Sequence, residues 1–137
     1  MYRISLQVVR LHLRPIGTVS SPYKSPEEAP RQGVGRAEVS RILLDEGFER
    51  ILAGLGEGKA VILYWLHRAN RTRIWSEERG KGVFATRGQD RPNPIGLALV
   101  EVLGVEGREV RVRHLDAIDG TPVLDILDPA ALRAGHG

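Results

Sequence analysis

The chain has 137 residues, 42% of them hydrophobic, with no cysteine and a net charge of +3 at a pI near 9.7. That length suits one domain with a modest core, and the apolar content excludes a disordered chain. The missing cysteine excludes disulfides, thiolate metal ligands and thiol nucleophiles. No apolar run reaches the roughly 18 residues that a membrane helix needs, and the first residues lack the basic, apolar and small-residue order of a secretory signal. The expectation is a cytoplasmic protein without membrane association. Lysine occurs only at Lys24, Lys59 and Lys81, so arginine carries the basic balance. That balance suits a nucleic-acid partner and equally a genome rich in arginine codons.

In chain order, residues 2–20 alternate as a strand, with a switch of face at Val8–Val9 that suggests a bulge. Pro22, Pro26 and Pro30 make residues 21–35 a loop. Residues 34–40 alternate again, Ala37 and Val39 against Arg36 and Glu38. Leu44, Phe48, Ile51, Leu52 and Leu55 share one helical face, so Asp45 to Ala53 is predicted as a helix, capped by Asp45 and stopped by Gly54. Ala60 to Leu66 is a continuous apolar run of the buried-strand kind. Leu97–Leu103 and Glu109–Leu115 form a hairpin around Gly104–Gly107, with Val110 and Val112 pointing in and Arg111 and Arg113 out. Thr121–Leu127 is a last short strand, and residues 128–137 a frayed tail. Some six short strands with Gly/Pro turns predict a mainly β, single barrel-like domain with one or two short helices. Neither βαβ alternation nor a glycine-rich first turn is present, which excludes a Rossmann nucleotide-binding fold.

Several apparent motifs fail on chemistry. Gly54–Lys59 looks like a phosphate loop, but Ala53 and Ala60 occupy the glycine and Ser/Thr positions, and a strand follows. His12, His67, His114 and His136 lack metal-ligand spacing, so no metal is expected. No nucleophile elbow occurs. Three other segments are more informative. Gly82 to Gly96 reads GVFATRGQDRPNPIG. Pro92 and Pro94 cannot both pair within a strand, so this is a stiff loop holding Arg87, Arg91 and Asn93. It either shapes a pocket or simply connects strands. Leu115 to Asp125 contains the tight turn Asp119-Gly120-Thr121-Pro122, in which Asp116 and Asp119 either accept hydrogen bonds from a ligand or cap their own turn. The third segment is IGTVSSPYK (16–24), followed by PRQ (30–32), where strand gives way to loop.

Together with YWLHRA (64–69) and LVEV (99–102), these segments resemble the TsaA/TrmO family of tRNA (adenine-N6)-methyltransferases, in family order from about Ile16 to Ile126. RPNPIG (91–96) and DGTPVLDI (119–126) are the specific parts. The resemblance implies one TsaA-like domain over residues 1–137, with its core at 10–127 and a tail beyond. It implies S-adenosyl-L-methionine as cofactor, tRNA as partner, and a homodimer with the cofactor pocket near the interface. The implied reaction is methylation of N6 of threonylcarbamoyl-adenosine at position 37 of tRNA. Carried onto this sequence, the cofactor contacts would be Pro30, Arg31, Gln32, His67, Arg68, Arg87, Leu97 and the turn Asp116, Ala117, Ile118, Asp119 and Gly120. Arg71, Arg73, Arg79, Lys81, Arg91 and Asn93 are candidates for the RNA, the cations as phosphate contacts, although a solvated surface run reads the same way. Many family members carry DIKPY where this chain has Asp125-Ile126-Leu127-Asp128-Pro129. The alternatives are a protein of the same fold that binds S-adenosylmethionine and acts on another RNA or a small molecule, and a non-enzymatic binding module.

Overall fold

The computed structural model describes residues 10–25, 27–28 and 38–132. Six antiparallel strands close into a barrel: β1 (Gly17–Ser20), β2 (Val39–Leu44), β3 (Gly58–Trp65), β6 (Ile95–Glu106), β7 (Glu109–Arg113) and β8 (Pro122–Leu127). Their order round the wall is β1-β2-β7-β6-β3-β8, with β8 returning to β1. The short strands β4 (Trp75–Ser76) and β5 (Lys81–Gly82) form a separate ladder within the β3–β6 connection.

Period-two patterning explains the wall. On β7, Val110 and Val112 are fully buried while Arg111 stays outside, and on β6 the buried row is Gly96, Ala98, Val100 and Val102. Val19, Ile42, Ile62 and Val123 complete the filling. Six strands enclose a narrow lumen, and small β-branched side chains fill it without leaving a channel. β3 is covered on both faces near its middle, since outward Val61 is as buried as inward Ile62 and the turn at Pro129–Leu132 packs on the strand. That double burial is why Ala60–Leu66 reads as an unbroken apolar run.

Three sequence expectations are corrected. Asp45–Ala53 is not an α-helix: a turn leads into a single 3-10 turn at Glu49–Leu52. Gly47, at φ +94°, breaks the register inside the expected helix, and Gly54, at φ +89°, ends the segment. Leu44 belongs instead to β2, Leu52 is buried, Phe48 and Leu55 pack against the core, and Ile51 is exposed. All helical structure among the described residues is of this 3-10 kind, the other turns being Val83–Ala85 and Pro129–Leu132. The second correction is register. Val39 faces outward on β2, and Ser40, Ile42 and Leu44 face the lumen. The predicted first strand is confined to Gly17–Ser20, Arg10–Ile16 not being strand, and the expected bulge at Val8–Val9 lies outside the described residues.

Gly96 shows how closely the wall is built. It faces Tyr64 across the β3–β6 ladder, and a Cβ there would stand 2.3 Å from the Tyr64 ring. Gly96→Ala should therefore destabilise the protein by about 1–3 kcal/mol in urea denaturation, as overpacking does. Gly56→Ala, where a Cβ meets nothing within 4 Å, should leave the midpoint nearly unchanged.

Candidate functional site

Strand direction gathers the site. In a closed antiparallel barrel every connection lies at one of two rims. The rim that receives the end of β3 also receives the start of β6, because Trp65 pairs with Ile95, and the start of β8, because Tyr64 pairs with Val123. Thr18 pairs with Pro122 and Val39 with Arg113, so the end of β1 and the end of β7 arrive there too. Residues 21–25, 66–68, 89–94 and 114–121 therefore meet at one end of the barrel.

A small cavity of about 30 Å³ lies between them, lined by Leu66, His67 and Arg68 from the exit of β3, Gln89 from the proline loop, and Asp116, Ala117, Ile118 and Thr121 from the β7–β8 connection. Of the residues singled out in the sequence, the structure brings His67, Arg68, Asp116, Ala117 and Ile118 around this cavity. Asp119 and Gly120 lie in the same turn but do not line it. Arg87 is exposed on the proline loop, and Leu97 points outward from β6, so within one chain neither lines it. Pro30, Arg31 and Gln32 lie outside the described residues.

Two carboxylates in the turn have separate tasks. Asp119 accepts a hydrogen bond from the Ser21 amide at 2.9 Å and pairs with Lys24 Nζ at 3.2 Å. The flanking backbone continues the clasp, with Asp119 N donating to Tyr23 O at 2.7 Å and Gly120 N to Val19 O at 2.8 Å. Gly120 has φ +85°, which favours glycine at this corner. Asp119 thus neither faces the cavity nor caps its own turn; it fastens the β7–β8 connection to the exit of β1. Asp116 lines the cavity and accepts a 2.5 Å hydrogen bond from the Tyr64 hydroxyl. Burial first, then the Asp116 charge and this bond, raises the Tyr64 pKa far above its usual value, so the phenol remains a donor.

On the other side of the cavity Arg68 is exposed. Glu27 has a lowered pKa owing to a backbone hydrogen bond, then the Ser25 hydroxyl, and, against a small opposing burial effect, the Arg68 charge. The loop after β1 is tied to the same rim through the contacts of Ser21 and Tyr23 with Asp119. Tyr64, Leu66, Gln89 and Thr121 are site residues that sequence reasoning had not singled out. For Tyr64 the available signal was a hydroxyl-bearing side chain at an inward position of an otherwise apolar run.

The remaining candidates lie on the β3–β6 excursion. The Arg71 guanidinium covers the Trp65 ring at 5.1 Å, and its Nε donates to Pro92 O at 3.0 Å. One of its terminal nitrogens reaches Asn93 Oδ1 at 3.5 Å. Arg73 is paired with Glu78 and Asp90, and Arg91 donates to the carbonyls of Val83, Thr86 and Gly88. Arg73 and Arg91 are thus tied into the loop's own structure, whereas Arg79, Lys81 and Arg87 are exposed and make no ion pair with a described residue. Pro94 is fully buried and its carbonyl accepts from Leu66 N at 2.8 Å, which fixes the proline loop to the exit of β3.

The class defined by fold and site is a closed antiparallel barrel with a polar, oppositely charged cavity at one rim and a basic excursion beside it. The chain belongs to the tRNA-methyltransferase O family, residues 18–128 matching that family's N-terminal domain. It is 43% identical over 122 residues to an S-adenosyl-L-methionine-binding protein of Archaeoglobus fulgidus, covering 83% of this chain and 86% of the relative. It is 33% identical over 128 residues to the tRNA (adenine(37)-N6)-methyltransferase of Escherichia coli, covering 81% of this chain and 54% of that one. The crystal structure of TrmO from Pseudomonas aeruginosa superposes with a TM-score of 0.76 at 29% identity, over 96% of this chain and 62% of that one. The chain thus spans little more than half the length of the E. coli enzyme and less than two thirds of the P. aeruginosa chain.

The Asp119 clasp predicts a pH dependence. Its pKa is lowered from 3.8, chiefly by the Ser21 amide and then by Lys24. A carboxylate depressed in the folded state stabilises above its unfolded pKa, and this is lost as pH falls through the folded value. Asp119→Ala should lower the melting temperature at neutral pH, and the gap from the parent should close as the pH drops below about 4. A gap that persisted unchanged at pH 2 would show that the ionised carboxylate is not the stabilising element.

Proposed function

We propose that this protein binds S-adenosyl-L-methionine at the cavity rim and methylates N6 of adenine in tRNA, with threonylcarbamoyl-adenosine at position 37 as substrate. The observation that carries the reading is the meeting of Arg68 and His67 with Asp116, Ala117 and Ile118 around one cavity, although some fifty residues separate the two groups in the chain. This donor set fits the cofactor. A guanidinium suits its carboxylate, and a carboxylate or a backbone carbonyl suits its ammonium or ribose. Leu66 and Ile118 offer an apolar face to its adenine. Bound there, it would supply an electrophilic methyl group on a sulfonium. The name of the Archaeoglobus relative supports the cofactor, and the name of the E. coli relative supports the tRNA adenine.

The chain's residues act by holding geometry. Tyr64 fixes the Asp116 carboxylate from below, the buried Pro94 anchors the proline loop, and the Asp119 clasp keeps the β7–β8 turn closed on the exit of β1. Such positioning is worth up to roughly 7–11 kcal/mol in a two-reactant step. The adenine amine must release a proton. Asp116 is the carboxylate that lines the cavity, and water is the other acceptor.

The cavity described is far smaller than the roughly 300 Å³ or more of a cofactor site, so the reading requires further walls. A second copy of the chain would supply one. Ile95, Leu97 and Leu99 form an outward stripe on β6, exposed by 44%, 54% and 48%. Among the described residues, β6 pairs with β7 only from Glu101 onward, which leaves its first half paired on the β3 side alone. An apolar stripe beside an open ladder edge is a suitable homodimer surface, and Leu97 on it would then border the cofactor through the interface. Leu99→Glu should shift the protein from dimer to monomer in light scattering; a dimer unaffected by that charge would place the interface elsewhere.

A second reading, a binding protein of this fold that does not methylate tRNA, draws on the fact that relatives matched over most of their own length carry binding-protein names. Nucleoside mass spectrometry on tRNA from a deletion strain separates the two, since the N6-methyl mark should disappear and return with the wild-type gene. Calorimetry with S-adenosylmethionine should show binding that Arg68→Ala weakens by about tenfold, the scale of one charge-assisted contact. Cofactor binding without any change in tRNA would establish the second reading.

A further inference from the structure

We propose that the β4–β5 hairpin is a base-stacking platform on which unpaired bases of an RNA lie against Trp75 and Phe84, their phosphates held by Arg79 and Lys81. This rests on the RNA-substrate reading above and names the surface that would receive the RNA. Trp75 pairs across the ladder with Gly82, and Phe84 lies in the 3-10 turn Val83–Ala85 that follows β5 directly, so the hairpin and the turn adjoining it carry the two rings. Ile74, Trp75 and Phe84 are exposed by 72%, 49% and 88%. The other described aromatic residues are engaged: Tyr23 and Tyr64 are buried, Phe48 packs on the core, and Trp65 lies under Arg71. Among the described residues, Trp75 and Phe84 are the rings left facing solvent, and the packing of the fold does not explain them.

Charge selects the occupant. Residues 68–91 carry seven cations and three carboxylates, whereas the whole chain has 20 and 17, so the rest of the chain is slightly acidic. Of those three carboxylates, Glu78 and Asp90 are paired with Arg73. Exposed rings among unpaired cations suit a single-stranded polyanion with π faces. A paired RNA helix keeps its bases stacked inside, out of reach of such rings. A second copy of this chain would bring the same positive excess against itself, which is unfavourable. The hairpin emerges between Arg68 and Gln89, both of which line the cavity, so an RNA loop lying on it reaches the rim where the proposed chemistry occurs.

The test uses the full chain with Trp75→Ala, Phe84→Ala and Trp75→Phe, titrated by fluorescence anisotropy with a labelled RNA stem-loop bearing an open loop and with a fully paired RNA of equal charge. Each alanine variant should lower stem-loop affinity by about tenfold, the scale of one lost base–aromatic stack. Trp75→Phe should recover most of it, and paired-RNA binding and calorimetric S-adenosylmethionine binding should stay unchanged. Arg79→Ala with Lys81→Ala should weaken both RNAs and flatten the salt dependence. Stem-loop affinity within twofold of wild type in both alanine variants would overturn the platform, and so would dissociation of a dimer in Trp75→Ala, which would make the surface a contact between copies. If wild type methylates tRNA and Trp75→Ala does so with the same KM, the platform alone falls; if wild type neither binds nor methylates RNA, the RNA reading falls with it.

Discussion

Closure of the barrel through β3 and β8 is the contact on which the site depends. β3 is central, paired with β6 on one side and with β8 on the other. Its last inward residue, Tyr64, lies opposite Val123 just where β8 begins, and the register shifts there between Leu63 and Tyr64. Were that seam open, His67 and Arg68 would sit at one edge of a sheet, and the Asp116–Thr121 turn would sit at the far end of the strand order. Closure instead brings both to one rim. Among the described residues it also pairs much of the ladder edge that an open six-stranded sheet would offer to other chains, the first half of β6 being the part left open on one side.

Tyr64 links this architectural seam to the chemistry. Its ring occupies the space that a side chain at position 96 would need, and its hydroxyl holds the Asp116 carboxylate. The glycine that ends RPNPIG and the aspartate that begins DAIDG are thus two sides of one packing arrangement, although twenty residues separate them in sequence. Asp119 does related work on the outer side of the same turn, where it satisfies the Ser21 amide at the point where β1 gives way to loop. An amide at a strand end needs a partner, and here a carboxylate from a distant segment supplies it, tying the two rim segments together.

Much of the wall was legible from period two alone. Val110 and Val112 inward with the arginines outward, the doubly buried β3 and the turn before β8 all follow from alternation, run length and Gly/Pro placement. The failures have physical causes. Leu44 to Leu55 does carry a helical spacing, but Gly47 and Gly54 adopt positive φ and divide it, so the apolar residues pack individually under a loop. β2 was misplaced because Ser40 occupies an inward position, and a buried polar residue reverses the apparent face. The site was only partly legible. Motif resemblance pointed to His67, Arg68 and the 116–120 turn as neighbours, but no local pattern tells that Asp119 bonds Ser21 across 98 positions while Asp116 faces the cavity. Likewise Arg73 and Arg91 read as free cations in sequence, and only the fold shows them bound to Glu78, Asp90 and loop carbonyls.

That sorting of arginines shows how the excursion between β3 and β6 is built. A long connection carrying many like charges resists compaction unless some are neutralised. Arg73 meets two carboxylates, Arg91 meets three carbonyls, and Arg71 lies on an indole ring, and these contacts hold the loop in shape. The cations not used in this way, Arg79, Lys81 and Arg87, remain in solvent on a support that the others have made rigid. Rigid presentation lowers the entropy lost when a partner docks, so in the proposed reading the internally bound arginines contribute to RNA binding without touching RNA. The barrel rim and the excursion then divide the work by polarity. In that reading the rim, with one exposed guanidinium near a carboxylate held by a buried tyrosine, would take the charged groups of a small zwitterion, and the excursion, with its excess of cations and two solvent-facing rings, would take a polyanion with unpaired bases.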